Sequence, residues 1–352
     1  MTAQAATPYK PPSTPLFTIL PSSWIPYAEL MRLDRPDGFY AFYWHYAIGL
    51  GFAACLTAPP PTPSTLLSLS LHLALWTLLL RGITCTWNDN LDQEFDRRVT
   101  RTKNRPIARG AVSTMNAHIF TLLLIGLAGA VLVPLSREAV IHALGITVVL
   151  MIYPLGKRFT DFPQVILGVG FAMPVFMCCA VLGMQISLPF PWTCYTTGTG
   201  TSGDGVGDGV LQIRAFPAAA GLFLVSLLWT VIFDTVYAHQ DVKDDVKAGV
   251  RSLAVLLGGW TKAVLSVLAA GQVMLLLWVG VMCQFSVVYF VLGCGGAGGV
   301  LASMLWLVKL DRPASCAWWF GPGSKLVGAC LVAGFWGEYL VRSDMAGLVA
   351  AL

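Results

Sequence analysis

The chain has 352 residues, 56% of them hydrophobic and only 11% charged, with a mean hydropathy of +0.69. A soluble domain carries about 25% charged residues, so there is too little charge here to coat a water-exposed surface. Disordered, collagen-like, coiled-coil and ordinary cytosolic classes are excluded, and the formal net charge of +4 adds little to a reading as a multi-spanning membrane protein.

Taking roughly 20 residues per crossing, apolar segments fall at 36–58, 66–88, 115–135, 138–156, 163–187, 215–236, 261–282, 285–308 and 324–343. They predict an all-α polytopic protein with nine transmembrane helices, because the runs are too long and unbroken for barrel strands. Residues 1–31, rich in Pro, Ser and Thr, read as a flexible cytosolic lead-in to one membrane-embedded domain over 32–352. This lead-in resembles neither an Arg-rich presequence nor a signal peptide. The stretch Thr196–Gly209 reads as a Gly/Ser/Thr-rich non-cytoplasmic loop. The nine Cys include no C-x-x-C pair and the five His no ligand pattern, so buried free thiols are expected rather than disulfides or zinc.

Sidedness follows from the basic residues. When the N-terminus and the loops after spans 2, 4, 6 and 8 share one face, only Arg137, Arg214 and Arg342 of the 22 Lys and Arg lie opposite, with Arg81 inside span 2. That asymmetry predicts a cytoplasmic basic face.

The same face carries two acidic clusters. Asp89, Asp92, Glu94 and Asp96 close span 2; Asp234, Asp241, Asp244 and Asp245 close span 6. Continued as helices at about 100° per residue, the first span would present Asn88, Asp89, Asp92 and Asp96 on one face, and the second Asp234, Asp241 and Asp245, with Tyr237 and Asp244 beside them. Such rows repel unless a hard cation such as Mg²⁺ bridges them to a phosphate. Arg97, Arg98, Arg101, Lys103 and Arg105 follow the first row, Lys243, Lys247 and Arg251 accompany the second, and Lys157 and Arg158 come from a third loop. Carboxylates ringed by cations, on an apolar bundle, suit an amphiphile with a diphosphate head and a hydrocarbon tail, such as an isoprenyl diphosphate.

At these residues the sequence resembles the UbiA superfamily of intramembrane prenyltransferases. NDNLDQEFDRRVTRTKNRP (Asn88–Pro106) matches its NDxxDxxxD motif, and DTVYAHQDVKDDVKAGVRS (Asp234–Ser252) matches the second motif of the 4-hydroxybenzoate polyprenyltransferase branch. RLDRPDG (Arg32–Gly38) and YPLGKRFTDFPQVILG (Tyr153–Gly168) add two shorter matches. The resemblance implies nine helices around a central cavity, with both Asp motifs facing each other at its cytoplasmic mouth. It assigns the metal-diphosphate role to Asn88, Asp92, Asp96, Asp241 and Asp245, supported by Asp89, Asp234 and Asp244. Phosphate contacts fall to Arg35, Arg101, Arg105, Lys157 and Arg158, while Tyr153 and Tyr237 line the pocket near the reacting carbons.

The implied activity is Mg²⁺-dependent transfer of a prenyl group, farnesyl by analogy with fungal members that prenylate phenolic polyketides in meroterpenoid pathways. The segment Gly168–Pro174 lacks the polar residue expected near a hydroxybenzoate ring, which argues against ubiquinone biosynthesis and for an endomembrane (endoplasmic reticulum or Golgi) over a mitochondrial location. The expected partners are the isoprenyl diphosphate, a phenolic acceptor and the lipid bilayer, with no nucleic acid and no obligate protein partner. The rivals are a UbiA-type terpene cyclase and an anion transporter. A transporter site belongs near the bilayer midplane on broken helices.

Overall fold

In the computed structural model, which describes residues 9–184 and 206–350, the described residues form helices and turns without strands. Two short helices, α1 (Pro15–Ile19) and α2 (Ile25–Leu30), precede α3 (Pro36–Leu56), α4 (Pro63–Leu91) and the single turn α5 (Gln93–Asp96). Next come α6 (Thr114–Leu132), α7 (Arg137–Phe159), α8 (Pro163–Ala172), α9 (Pro174–Val181) and α10 (Val206–Ala238). The chain ends with α11 (Val242–Ala248), α12 (Leu253–Leu257), α13 (Thr261–Met282), α14 (Gly296–Leu307), α15 (Pro313–Trp318) and α16 (Ser324–Ala350).

Local chemistry sets these starts. Proline stands in the first turn of α3, α4, α8, α9 and α15, where its missing N–H costs nothing. Side-chain oxygens of Thr62, Ser113, Ser136 and Ser252 accept from the exposed amides of α4, α6, α7 and α12. Pro174, which has no amide to donate, divides the fifth apolar segment into α8 and α9.

Seven helical bodies among the described residues are long and apolar enough to cross a membrane: Pro63–Leu91, Thr114–Leu132, Arg137–Phe159, Pro163–Val181, Ala215–Ala238, Leu253–Met282 and Tyr289–Leu307. The chain is therefore an integral membrane protein, and α3 and α16 lie at the two remaining positions where the sequence places spans. Burial separates an inner set from an outer one. The Pro163–Val181 and Ala215–Ala238 windows are 67% and 61% buried, against 28% for Thr114–Leu132. The outer helices turn Leu122, Leu123, Ile141 and Val267 outward, the arrangement lipid tolerates and water does not.

Part of the stretch read from sequence as a flexible lead-in is folded. Leu30 is fully buried, and Glu29 accepts from the Tyr9 hydroxyl at 2.7 Å and pairs with Arg109 at 2.5 Å. The apolar Leu30, packed with Ile107, Val112 and Ala117, draws this segment onto the first charged loop. The loop predicted at Thr196–Gly209 lies, up to position 205, outside the described residues. Cys55, Cys85, Cys178, Cys179, Cys294, Cys316 and Cys330 are free thiols, in line with the reading from sequence; Cys194 lies outside the described residues.

Close packing of α16 rests on glycine. A Cβ at Gly334 would sit 2.6 Å from the Gly293 Cα, in the π-helical turn Tyr289–Gly295 that leads into α14. Gly334→Ala must push two backbones apart, an overpacking that costs about 1–3 kcal/mol. The expected result is a lower unfolding temperature in detergent; an unchanged temperature would contradict this packing.

Candidate diphosphate site

The expectation that each acidic row continues its span as one helix is not met, and the departure builds the site. Helix α4 stops at Leu91 with Asp92 as its C-cap, and the chain turns through α5. Helix α10 stops at Ala238, and Asp241 is the N-cap of the separate α11. Breaking both helices turns Asp92 and Asp96 from one segment, and Asp234, Asp241 and Asp245 from the other, onto the wall of one cavity of about 440 Å³. Lys157, Arg158, Arg101, Arg105, Tyr153 and Tyr237 line the same cavity. An adjoining chamber of about 220 Å³ shares Arg101, Arg105, Tyr153, Lys157, Asp234 and Tyr237, and is otherwise mostly apolar, walled by Phe42, Phe171, Phe233 and Phe320.

The two motifs touch through an arginine. Arg101 reaches across to Asp241, with Nε 2.9 Å from Oδ2 and 3.0 Å from Oδ1, and donates from Nη1 to the Tyr237 hydroxyl at 2.9 Å. Arg105 Nη1 lies 2.8 Å from Asp96 and 3.1 Å from Asp89. Lys157 Nζ is 3.4 Å from Asp92, and Arg158 sits 3.9 Å from the same carboxylate. Burial works against the charge on Arg105, yet Asp89 and Asp96 outweigh it and hold its pKa above the ordinary guanidinium range. Asp96 is raised by burial despite Arg105. Burial, and then the neighbouring Asp241, push Asp245 up to about 6.

Four predicted residues stand apart from this cavity. Asp89 is 1% exposed and points away, accepting from Arg32 Nη2 at 2.6 and 2.8 Å. Arg35 is exposed and pairs with Asp34, reaching neither the cavity nor the chamber. Asp244 lines neither, and Asn88 faces only the chamber.

Arg32 takes the inward place instead. It adopts a left-handed φ of 57°, uncommon for a side chain of this size, and is held there by Asp89 and by Arg81, which donates to the Arg32 and Arg35 carbonyls at 2.9 and 2.7 Å. The intramembrane Arg81 thus pairs with backbone oxygens. Its Nη2 would be 2.6 Å from a Cβ at Gly38, which explains a glycine in RLDRPDG.

Two further wall residues carried no role in the sequence reading. Gln164 lies inside a quoted motif. Phe320 lies beyond all of them, on the π-helical turn Trp319–Gly323, and its ring is 4.1 Å from Tyr237 and 5.8 Å from Phe233.

No three His, Cys, Asp or Glu among the described residues form a metal centre by themselves. The donor set nonetheless fits Mg²⁺, which is commonly held by one or two carboxylates, waters and the substrate's own phosphates. The side-chain carboxylates of Asp234 and Asp245, both on the cavity wall, make neither a hydrogen bond nor an ion pair among the described residues, so their oxygens are available to a cation.

An all-helical membrane bundle with paired acidic segments around one polar cavity defines a class, and comparison with known proteins identifies it. Residues 46–336 match the model of the UbiA prenyltransferase family, and the chain belongs to that family. It is 34% identical to the prenyltransferase ascA of Acremonium egyptiacum over 97% of this chain and 93% of the relative. It is 40% identical to the DMOA farnesyltransferase nvfB of Aspergillus novofumigatus over 67% of this chain and 66% of that one. Among solved structures, a UbiA homolog from Aeropyrum pernix K1 superposes with a TM-score of 0.63 at 21% identity, covering 86% of this chain and 98% of that one. A UbiA homolog from Archaeoglobus fulgidus bound to GPP and Mg²⁺ gives 0.62 at 18% identity over 91% and 99%. The protein is therefore a UbiA-family prenyltransferase with the UbiA fold.

Proposed function

We propose that this protein transfers an isoprenyl group, farnesyl in the leading assignment, from its diphosphate to a ring carbon of a phenolic, polyketide-derived acceptor in meroterpenoid biosynthesis. The observation that carries the reading is the single cavity shared by Asp92, Asp96, Asp234, Asp241 and Asp245 and ringed by Arg101, Arg105, Lys157 and Arg158. Likeness to a relative named a DMOA farnesyltransferase supports the choice of prenyl group. In this reading the chain crosses an endomembrane nine times, with α3 and α16 as the two spans beyond the seven, and the excess of Lys and Arg on one face supports a charged cavity that opens to the cytoplasm.

In this reading Asp92, Asp96, Asp241 and Asp245, with Asp234 beside them, would hold Mg²⁺. The metal, when bound, neutralises charge on the departing diphosphate. Arg101 and Lys157, which pair with Asp241 and Asp92, donate to diphosphate oxygens, and their fixed cationic groups stabilise charge as the allylic C–O bond lengthens. The prenyl chain enters the apolar chamber, where the rings of Tyr237, Phe320 and Phe233 face the developing carbocation and water is excluded. A ring carbon of the acceptor attacks, and the ring then passes its proton to the released diphosphate or to a nearby carboxylate of the cavity.

The test is a set of hydroxybenzoic acids incubated with geranyl, farnesyl and geranylgeranyl diphosphates, with products analysed by mass. A prenylated acid that forms with Mg²⁺ and disappears with EDTA is expected. A cyclic hydrocarbon from the diphosphate alone, with no prenylated acid, would contradict the reading in favour of a cyclase.

A further inference from the structure

Behind the acidic segments, the cavity has a wall stitched from two loops. Arg251 donates its amide to the Lys157 carbonyl at 3.2 Å and Nη1 to the Phe159 carbonyl at 3.1 Å. It also grips Asp161 at 2.8 and 2.6 Å. One residue inside this seam is Gln164, 2% exposed, at the second position of the ten-residue α8. Its Oε1 accepts from the Leu253 amide at 3.2 Å. A backbone N–H can only donate, so this bond fixes which end of the amide is oxygen.

The Nε2 end is therefore aimed. It makes no hydrogen bond among the described residues and, unlike the Gln272 amide sealed inside the bundle, it opens onto the cavity that holds Lys157 and Arg101. Gln164 does not reach the apolar chamber, so the group it meets is polar and belongs to the ligand's head. The start of α8 adds the positive end of a helix dipole at the same wall.

Resting on the functional reading above, we propose that Gln164 is a diphosphate-orienting residue, giving an Nε2–H hydrogen bond to a diphosphate oxygen from a side chain locked by Leu253. A neutral donor in a cationic ring fixes the direction of the head group without adding charge, and aims the breaking C–O bond at the chamber.

The test measures farnesyl diphosphate binding with Mg²⁺ in detergent for the wild type, Gln164→Glu and Gln164→Met. Gln164→Glu keeps the acceptor for Leu253 but loses the donor; Gln164→Met loses the donor without adding charge. Both variants are expected to raise the dissociation constant about tenfold or more, Glu the more strongly, with the KM for the phenolic acceptor unchanged in both and the unfolding temperature unchanged in Gln164→Glu, which keeps the Leu253 bond. A folded variant of either kind that binds as the wild type does overturns the inference alone. Absence of Mg²⁺-dependent binding in the wild type overturns the functional reading, and this inference with it.

Discussion

Asp92→Ala and Asp241→Ala are each expected to lower prenyl transfer by about a thousandfold or more while leaving a folded protein. The two residues come from different motifs and line one cavity, so both are expected to act on the same ligand. Both face cations, Asp92 with Lys157 at 3.4 Å and Asp241 with Arg101 at 2.5 Å. These pairs are partly open to water at the cavity, with Lys157 and Arg101 side chains each 31% exposed, so losing one costs little stability. Elution as a single detergent-solubilised species with an unchanged unfolding temperature would separate lost chemistry from lost fold. A folded Asp92→Ala/Asp241→Ala double variant with full activity would refute the assignment of these carboxylates.

The largest effect on stability is expected at Arg105. It bridges Asp89 and Asp96, whose side chains are 1% and 8% exposed, and its removal leaves Asp96 buried without a counter-charge. Breaking a buried pair from one side costs about 3–5 kcal/mol, most of it the desolvation of the stranded charge. Arg105→Ala is therefore expected to lower the unfolding temperature sharply and to reduce activity with it. Arg97→Ala, which removes an exposed pair with Glu94, is expected to change stability by no more than about 1 kcal/mol. Equal effects of the two substitutions would show that the Arg105 bridge does not hold the loop.

The bundle is legible in the sequence because lipid demands long apolar runs, and seven of the predicted segments coincide with helical bodies long enough to cross it. The acidic motifs are legible as clusters, since eight carboxylates in two short windows need a reason. What the sequence hides is direction. Helical periodicity places Asp89 with Asp92 and Asp96 on one face, but the turn after Leu91 sends Asp89 to Arg32 and the other two to the cavity. Arg32 and Arg35 belong to the same short motif, and only the left-handed backbone at Arg32, pinned by Arg81, decides which side chain points inward. Phe320 arrives from a distant π-helical turn that no local pattern announces. Gln164 was within a quoted motif, and its fixed orientation depends on Leu253, far along the chain.

The most direct measurement is an experimental structure with farnesyl thiodiphosphate, a poorly ionising analogue, and Mg²⁺. The account predicts the head group between the Asp92–Asp96 and Asp241–Asp245 segments, metal density touching carboxylates of both, and the hydrocarbon tail in the chamber beside Phe320. A head group bound elsewhere, or metal contacted by neither segment, would contradict it.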